Sequence, residues 1–108
     1  MTFPAAPNNK LQQKSLDENF NGWLAGQLAK STRRLYRSDI EDFFGGIPTV
    51  EMVLSLTDND LKEWRNRAIR SNPDDRDGLE ASTVNRKLAA LSSFYSYIQA
   101  RGLISHNP

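Results

Sequence analysis

Apolar residues recur along this chain at helical spacing, in four separate stretches. The last is the cleanest: Val84, Leu88, Leu91, Tyr95 and Ile98 are spaced 4, 3, 4 and 3 residues apart. Gly102 closes the helix they predict, and Leu103 and Ile104 are placed to tuck back under it. Near the start, Leu16, Phe20, Trp23, Leu24 and Leu28 form the buried face of a helix running to about Lys30. Tyr36, Ile40, Phe43 and Phe44 stripe a second helix, from about Thr32 to the stop signal Gly45-Gly46. Leu61, Trp64 and Ala68 mark a third, capped by Thr57 and running to about Arg70. No stretch alternates with the period of a strand, and no internal repeat is visible. The predicted class is all-α, a small four-helix bundle.

The segments between these stretches read as connections. Residues 1–14 hold two prolines and no hydrophobic period, the pattern of a disordered arm. Ser15-Leu16-Asp17-Glu18 is a capping box that would start the first helix. Gly22 and Gly26 inside that helix weaken it or admit a close neighbour. Ile47 to Leu56 is apolar but short and contains Pro48, so it reads as a loop with a partial helical turn. Ser71 to Gly78 has turn chemistry at nearly every position and reads as an exposed loop. The expected organisation is an arm over 1–14, a helical domain over 15–104 and a linker beginning at 105–108.

Composition narrows the function classes. The chain has 108 residues, 38% hydrophobic and 25% charged, which suits one soluble globular domain. It holds no cysteine, which excludes a disulfide framework, a thiolate metal site and a cysteine nucleophile and agrees with a cytoplasmic setting. The first residues lack the pattern of a signal peptide, and no apolar run approaches the ~18–20 residues that span a membrane. No motif for a cofactor, a small-molecule substrate or a metal occurs. Asp74, Asp75 and Asp77 suggest a calcium loop, but the required glutamate position is taken by Asn85.

Charge distribution says more than the net charge of +1. Lys30, Arg33, Arg34 and Arg37 crowd one helix start, and Arg86 and Lys87 crowd another. No acid occurs from Ala81 to Pro108. The positive end of a helix dipole favours acids in the first turn, and Asp17 with Glu18, and Asp58 with Asp60, obey that rule in the other two helices. A basic first turn suits docking onto phosphate instead. The candidate DNA-binding residues are Ser31, Thr32, Arg33, Arg34 and Arg37, with Ser82, Thr83, Asn85, Arg86 and Lys87; the alternative for Arg33, Arg34 and Arg37 is a solvated helix face. Ser31, Thr32, Ser82 and Thr83 are most simply helix caps, with one hydroxyl of each pair available to phosphate. Asn85 reads equally as a base reader or as a helix-start residue satisfying local backbone. Arg86 lies off the apolar stripe, so its removal is expected to cost the fold little. Trp23, Trp64, Phe43, Phe94 and Tyr95 read as core; Tyr97 lies off its stripe and reads as a surface contact.

Three segments carry a family resemblance. Thr32-Arg33-Arg34-Leu35-Tyr36-Arg37-Ser38-Asp39-Ile40-Glu41-Asp42-Phe43 resembles the "T…Y…D(L/I)…F" helix of phage-integrase-type tyrosine recombinases. Leu56-Thr57-Asp58-Asn59-Asp60-Leu61 is similar to their "LT..DL" helix start, and Ser82 to Ile98 to their "S..T(V/I)NR.L.AL..FY.Y" helix, followed by Gly102-Leu103-Ile104 and Asn107-Pro108. The ordered set covers roughly residues 15–108. The resemblance implies a SAM-like core-binding domain that grips double-stranded DNA as half of a clamp, beside other recombinase protomers. It also implies that strand cleavage, through a phosphotyrosyl link without metal or ATP, belongs to a separate catalytic domain. No catalytic residue is expected here: the only histidine is His106, in the tail. On this reading the second and fourth helices face the major groove. The alternatives are a stand-alone helix-turn-helix regulator, disfavoured by the long loop before the last helix, and a SAM-like interaction module that binds no DNA.

Overall fold

The computed structural model describes residues 9–72, 74–104 and 108, with side chains from Gln12 onward. Five helices follow one another: α1 (Asn9–Ala25), α2 (Lys30–Phe44), α3 (Val50–Ser55), α4 (Asp58–Ala68) and α5 (Ala81–Ala100). The described residues form no strand, only a single bridge between Ile69 and Leu79. The all-α bundle expected from the sequence is therefore present, with one helix more than the four predicted. The extra element is α3, the predicted partial turn, started by the Thr49 hydroxyl accepting from the Met52 N–H.

The helix boundaries differ from expectation in three places. First, α1 begins at Asn9, so Ser15 is an interior residue and no capping box operates there; its carbonyl accepts from the Asn19 amide at 2.8 Å. Residues 9–14 belong to this helix and not to an arm, and the acids Asp17 and Glu18 do not open it. Hydrogen bonding drives the extension where hydrophobic periodicity is missing. The Gln13 side chain donates to the Pro48 carbonyl at 2.9 Å and accepts from the Val50 N–H at 3.0 Å, which stitches α1 to the start of α3. The rest of the predicted arm, residues 1–8, lies outside the described residues, as does linker segment 105–107. Second, the N-caps of α2 and α5 are Ala29 and Glu80, and neither makes a side-chain cap bond. Ser31, Thr32, Ser82 and Thr83 are thus first-turn residues and not caps. Third, Leu28 is fully exposed, because α1 stops at Ala25 and leaves it in the turn.

The core agrees closely with the predicted stripes. Leu16, Phe20, Trp23 and Leu24 of α1 meet Ile40 and Phe44 of α2 and Leu91, Phe94, Tyr95 and Ile98 of α5. Val50 and Val53 of α3 close one end, and Ile104 folds back into the core after Gly102, whose positive φ turns the chain. The Tyr95 hydroxyl donates to the Val53 carbonyl at 2.8 Å, and burial pushes its phenol pKa up. Helix α4 is different: its predicted cap Thr57 forms a capping box with Asp60, but it has no buried residue, and Leu61 and Trp64 pack only half-buried. It ends at Ala68, two residues short of the expected Arg70.

Two glycines are required by close approach. The Tyr97 hydroxyl sits 2.9 Å from where a Gly22 side chain would start. Gly78 is tighter, since a Cβ there would lie 2.5 Å from the Arg70 Cα. That contact closes the loop between α4 and α5, with Arg70 N–H to Leu79 O at 2.7 Å and Leu79 N–H to Ala68 O at 2.8 Å. Asp75 organises this loop: its carboxylate accepts from the Ser71 N–H and hydroxyl and from the Gly78 N–H. No group of residues able to hold a metal occurs among the described residues.

Leu91 is 2% exposed at the centre of α5. Leu91→Ala is expected to lower unfolding free energy by about 2–5 kcal/mol, read from the urea midpoint. A loss below about 1 kcal/mol would show that the α5 stripe is not the centre of the core.

Candidate nucleic-acid interface

The predicted site residues fall into two groups with different fates. At the start of α2, Ser31, Arg34 and Arg37 are exposed, and Thr32 and Arg33 are half-buried. Lys30, Arg33, Arg34 and Arg37 line an open groove of about 470 Å³ together with Asn21, Leu24 and Ala25 of α1. Among the described residues, no acid lines the groove. Among the described residues, no salt bridge reaches any of its four cations. Physically this is a concave surface of one charge sign, the arrangement that concentrates an anion.

The second group, at the start of α5, is only partly available. Ser82 and Asn85 are exposed and Thr83 is half-buried. Arg86 and Lys87, expected to project toward DNA, turn inward instead. The Arg86 guanidinium donates to both carboxylate oxygens of Asp39, at 3.0 Å from Nε and 2.8 Å from Nη2. Lys87 Nζ donates to Asp39 at 3.0 Å and to Asp42 at 3.2 Å. Lys87 is 7% exposed and Asp39 is 1% exposed. A buried carboxylate without partners is so costly that two cations are drawn from the neighbouring helix to satisfy it. The expectation that Arg86 is a dispensable surface residue is therefore corrected: it is part of the α2–α5 junction.

This junction had a signal in the sequence. Asp39 is three residues after Tyr36 and four before Phe43, which puts an acid on an apolar face. Lys87 stands three after Val84 and four before Leu91, which puts a base on the facing stripe. The groove's α1 wall had no such signal. Phe20 reads only as a core residue, and no pattern marks Asn21. In the fold, Asn21 accepts from the Arg37 guanidinium at 3.3 Å, whose carbon lies 5.5 Å from the Phe20 ring centroid. Tyr97 is also more than a surface contact: it is half-buried, packs against the core, and carries Arg101 over its ring at 5.1 Å.

Burial alone would raise the Asp39 pKa, but the hydrogen bonds and charges of Arg86 and Lys87 outweigh it and hold the carboxyl below its ordinary 3.8. A carboxyl depressed in the fold stabilises it fully above the unfolded value, and that contribution is lost as pH falls through the lower folded value. Urea midpoints followed against pH are therefore expected to decline below about pH 4, with Asp39→Asn removing part of the decline and lowering stability at neutral pH. Asp39→Ala, which removes both Arg86 bonds and leaves Lys87 only Asp42, is expected to cost about 3–5 kcal/mol. Arg86→Ala, which leaves Lys87 on Asp39, is expected to cost about 1.5–3 kcal/mol. Indifference of stability to both changes would mean that the junction does not hold α2 to α5.

Comparison with known proteins gives one match. The family model described as phage integrase, N-terminal SAM-like domain, matches residues 22–102, which contain α2 to α5 and the C-terminal part of α1. No curated protein and no solved structure matches the chain.

Proposed function

The chain belongs to the family of phage integrase N-terminal SAM-like domains, and from that premise we propose that it grips duplex DNA as half of a clamp during site-specific integration and recombination. The observation that carries this reading is the acid-free groove of Lys30, Arg33, Arg34 and Arg37 on a fold of this family. Phosphate contacts of such cations position a protein on the duplex, and a smaller number of contacts to base edges select sequence. Arg33, Arg34 and Arg37 take the first role, with Ser31 and Thr32 beside them. Asn85, exposed on α5 next to Ser82 and Thr83, takes the second. Both helices face the major groove on this proposal, and Arg86 and Lys87 act by fixing the angle between them.

The chemistry of strand exchange lies elsewhere on this reading. Arg33, Tyr36 and Arg37 are not a catalytic set: Tyr36 is half-buried and stacks on Trp23, with ring centroids 5.5 Å apart. The domain works in the cytoplasm, beside further recombinase protomers and a catalytic domain that closes the clamp. Among the described residues no helix is long and apolar enough to cross a membrane.

Half a clamp makes half the contacts, so the 108-residue chain is expected to bind duplex DNA weakly, with Kd on the order of 10⁻⁴–10⁻⁶ M at physiological salt. Affinity falls steeply with salt, by about 0.9 counterion for each phosphate neutralised. Arg34→Gln or Arg37→Gln is expected to weaken binding to all sequences and to flatten that dependence. Asn85→Ala changes preference among sequences once a cognate site is known. Fluorescence anisotropy over a salt series measures the first three effects, and NMR shift perturbation maps the surface. Absence of binding at millimolar DNA in low salt would reject the DNA reading in favour of a protein-interaction module. A covalent adduct with DNA would reject the assignment of catalysis elsewhere.

A further inference from the structure

A guanidinium on a helix surface ordinarily samples many rotamers, and ordering it against a ligand costs part of the contact it makes. Arg37 is restrained before any ligand arrives. Its guanidinium carbon lies 5.5 Å from the centroid of Phe20, which is itself 3% exposed and fixed in the core. Its Nη2 donates to the Asn21 side-chain oxygen at 3.3 Å. The ring fixes the height of the guanidinium and the amide fixes its rotation. Asn21 uses one N–H of the five a guanidinium offers, so the others stay available. Both restraints come from α1, and Asn21 lines the groove with Lys30, Arg33, Arg34 and Arg37.

We propose that Asn21 is a positioning residue for phosphate recognition: it holds Arg37 against Phe20 with its free edge toward the cationic groove, so that α1 forms one wall of the DNA interface. This rests on the proposed DNA reading and adds to it a residue from a helix that bears none of the groove's cations. An Asn carries no charge, so its contribution is distinguishable from that of the cations by its salt signature. Removing a cation lowers affinity and the salt slope together. Removing a restraint lowers affinity and leaves the slope unchanged, because the number of phosphates neutralised is the same.

The test is a double-mutant cycle on the full 108-residue chain with duplex DNA, using wild type, Asn21→Ala, Arg37→Gln and the pair, over a salt series. Asn21→Ala is expected to weaken binding by about twofold to tenfold at unchanged salt slope. Arg37→Gln is expected to weaken binding with a shallower slope, and Asn21→Ala is expected to add nothing in that background. The urea midpoint of Asn21→Ala stays near that of the wild type, since Asn21 is exposed. An equal loss from Asn21→Ala in both backgrounds, or no loss in either, overturns the positioning role while leaving DNA binding intact. A wild-type chain that binds no DNA at low salt instead overturns the reading on which the proposal rests.

Discussion

Asp39 is the constraint around which the molecule is arranged. Its carboxylate is 1% exposed and accepts three hydrogen bonds, two from Arg86 and one from Lys87. A buried charge is tolerated only when partners and geometry are both right. Satisfying it therefore fixes how α2 lies on α5 in rotation as well as in distance. Apolar packing between the same helices is less demanding, because Ile40, Leu91 and Phe94 tolerate small slips that a bidentate guanidinium does not. The ion cluster thus chooses one register among several that the apolar stripe would accept. Whatever α2 and α5 present outward is presented at the angle this cluster sets.

The same cluster decides which cations remain for a ligand. Acids elsewhere are also engaged: Asp60 caps α4, Asp58 pairs with Lys62, Glu80 pairs with Arg70, and Asp75 closes the loop before α5. The run from Lys30 to Arg37 faces none of these. A net charge of +1 therefore conceals a local excess of positive charge, because several of the compensating acids are engaged in other places. Local pairing, and not the sum over the chain, determines the field an approaching polyanion meets.

Hydrophobic periodicity made most of the bundle legible before any coordinates. The stripes of α2 and α5 and much of that of α1 were read correctly, because residues four and three apart share a helix face whatever the loops do. Boundaries set by polar groups were not legible. The early start of α1 depends on Gln13 reaching the backbone of residues 48–50, a long-range bond that no local pattern records. The predicted caps of α2 and α5 failed because Ser and Thr in a first turn resemble Ser and Thr just before it. At the candidate interface, Lys30, Arg34 and Arg37 of α2 are exposed and Arg33 is half-buried. Arg86 and Lys87 were misread because cations were judged by local density, whereas their destination depended on one acid placed on the apolar face of another helix.

The groove and the core share a floor. Phe20, beneath Arg37, packs edge-on against Phe94 at 5.5 Å and lies 6.2 Å from Trp23. Trp23 in turn stacks on Tyr36, is 5.4 Å from Phe94 and donates to the Ser93 hydroxyl at 3.0 Å. One aromatic layer therefore carries the wall of the groove from α1, its cationic rim from α2 and the long helix α5 beneath. A densely packed layer resists small displacements, so Arg37, which rests on it, has less freedom to lose on binding. This places the precision of the surface in the interior, at residues with no charge and almost no exposure. Helix α4, which buries no residue fully, lies outside that layer. It reaches α2 through Trp64, whose ring lies 5.2 Å from that of Phe43, whereas Phe20 lies directly beneath the guanidinium of Arg37.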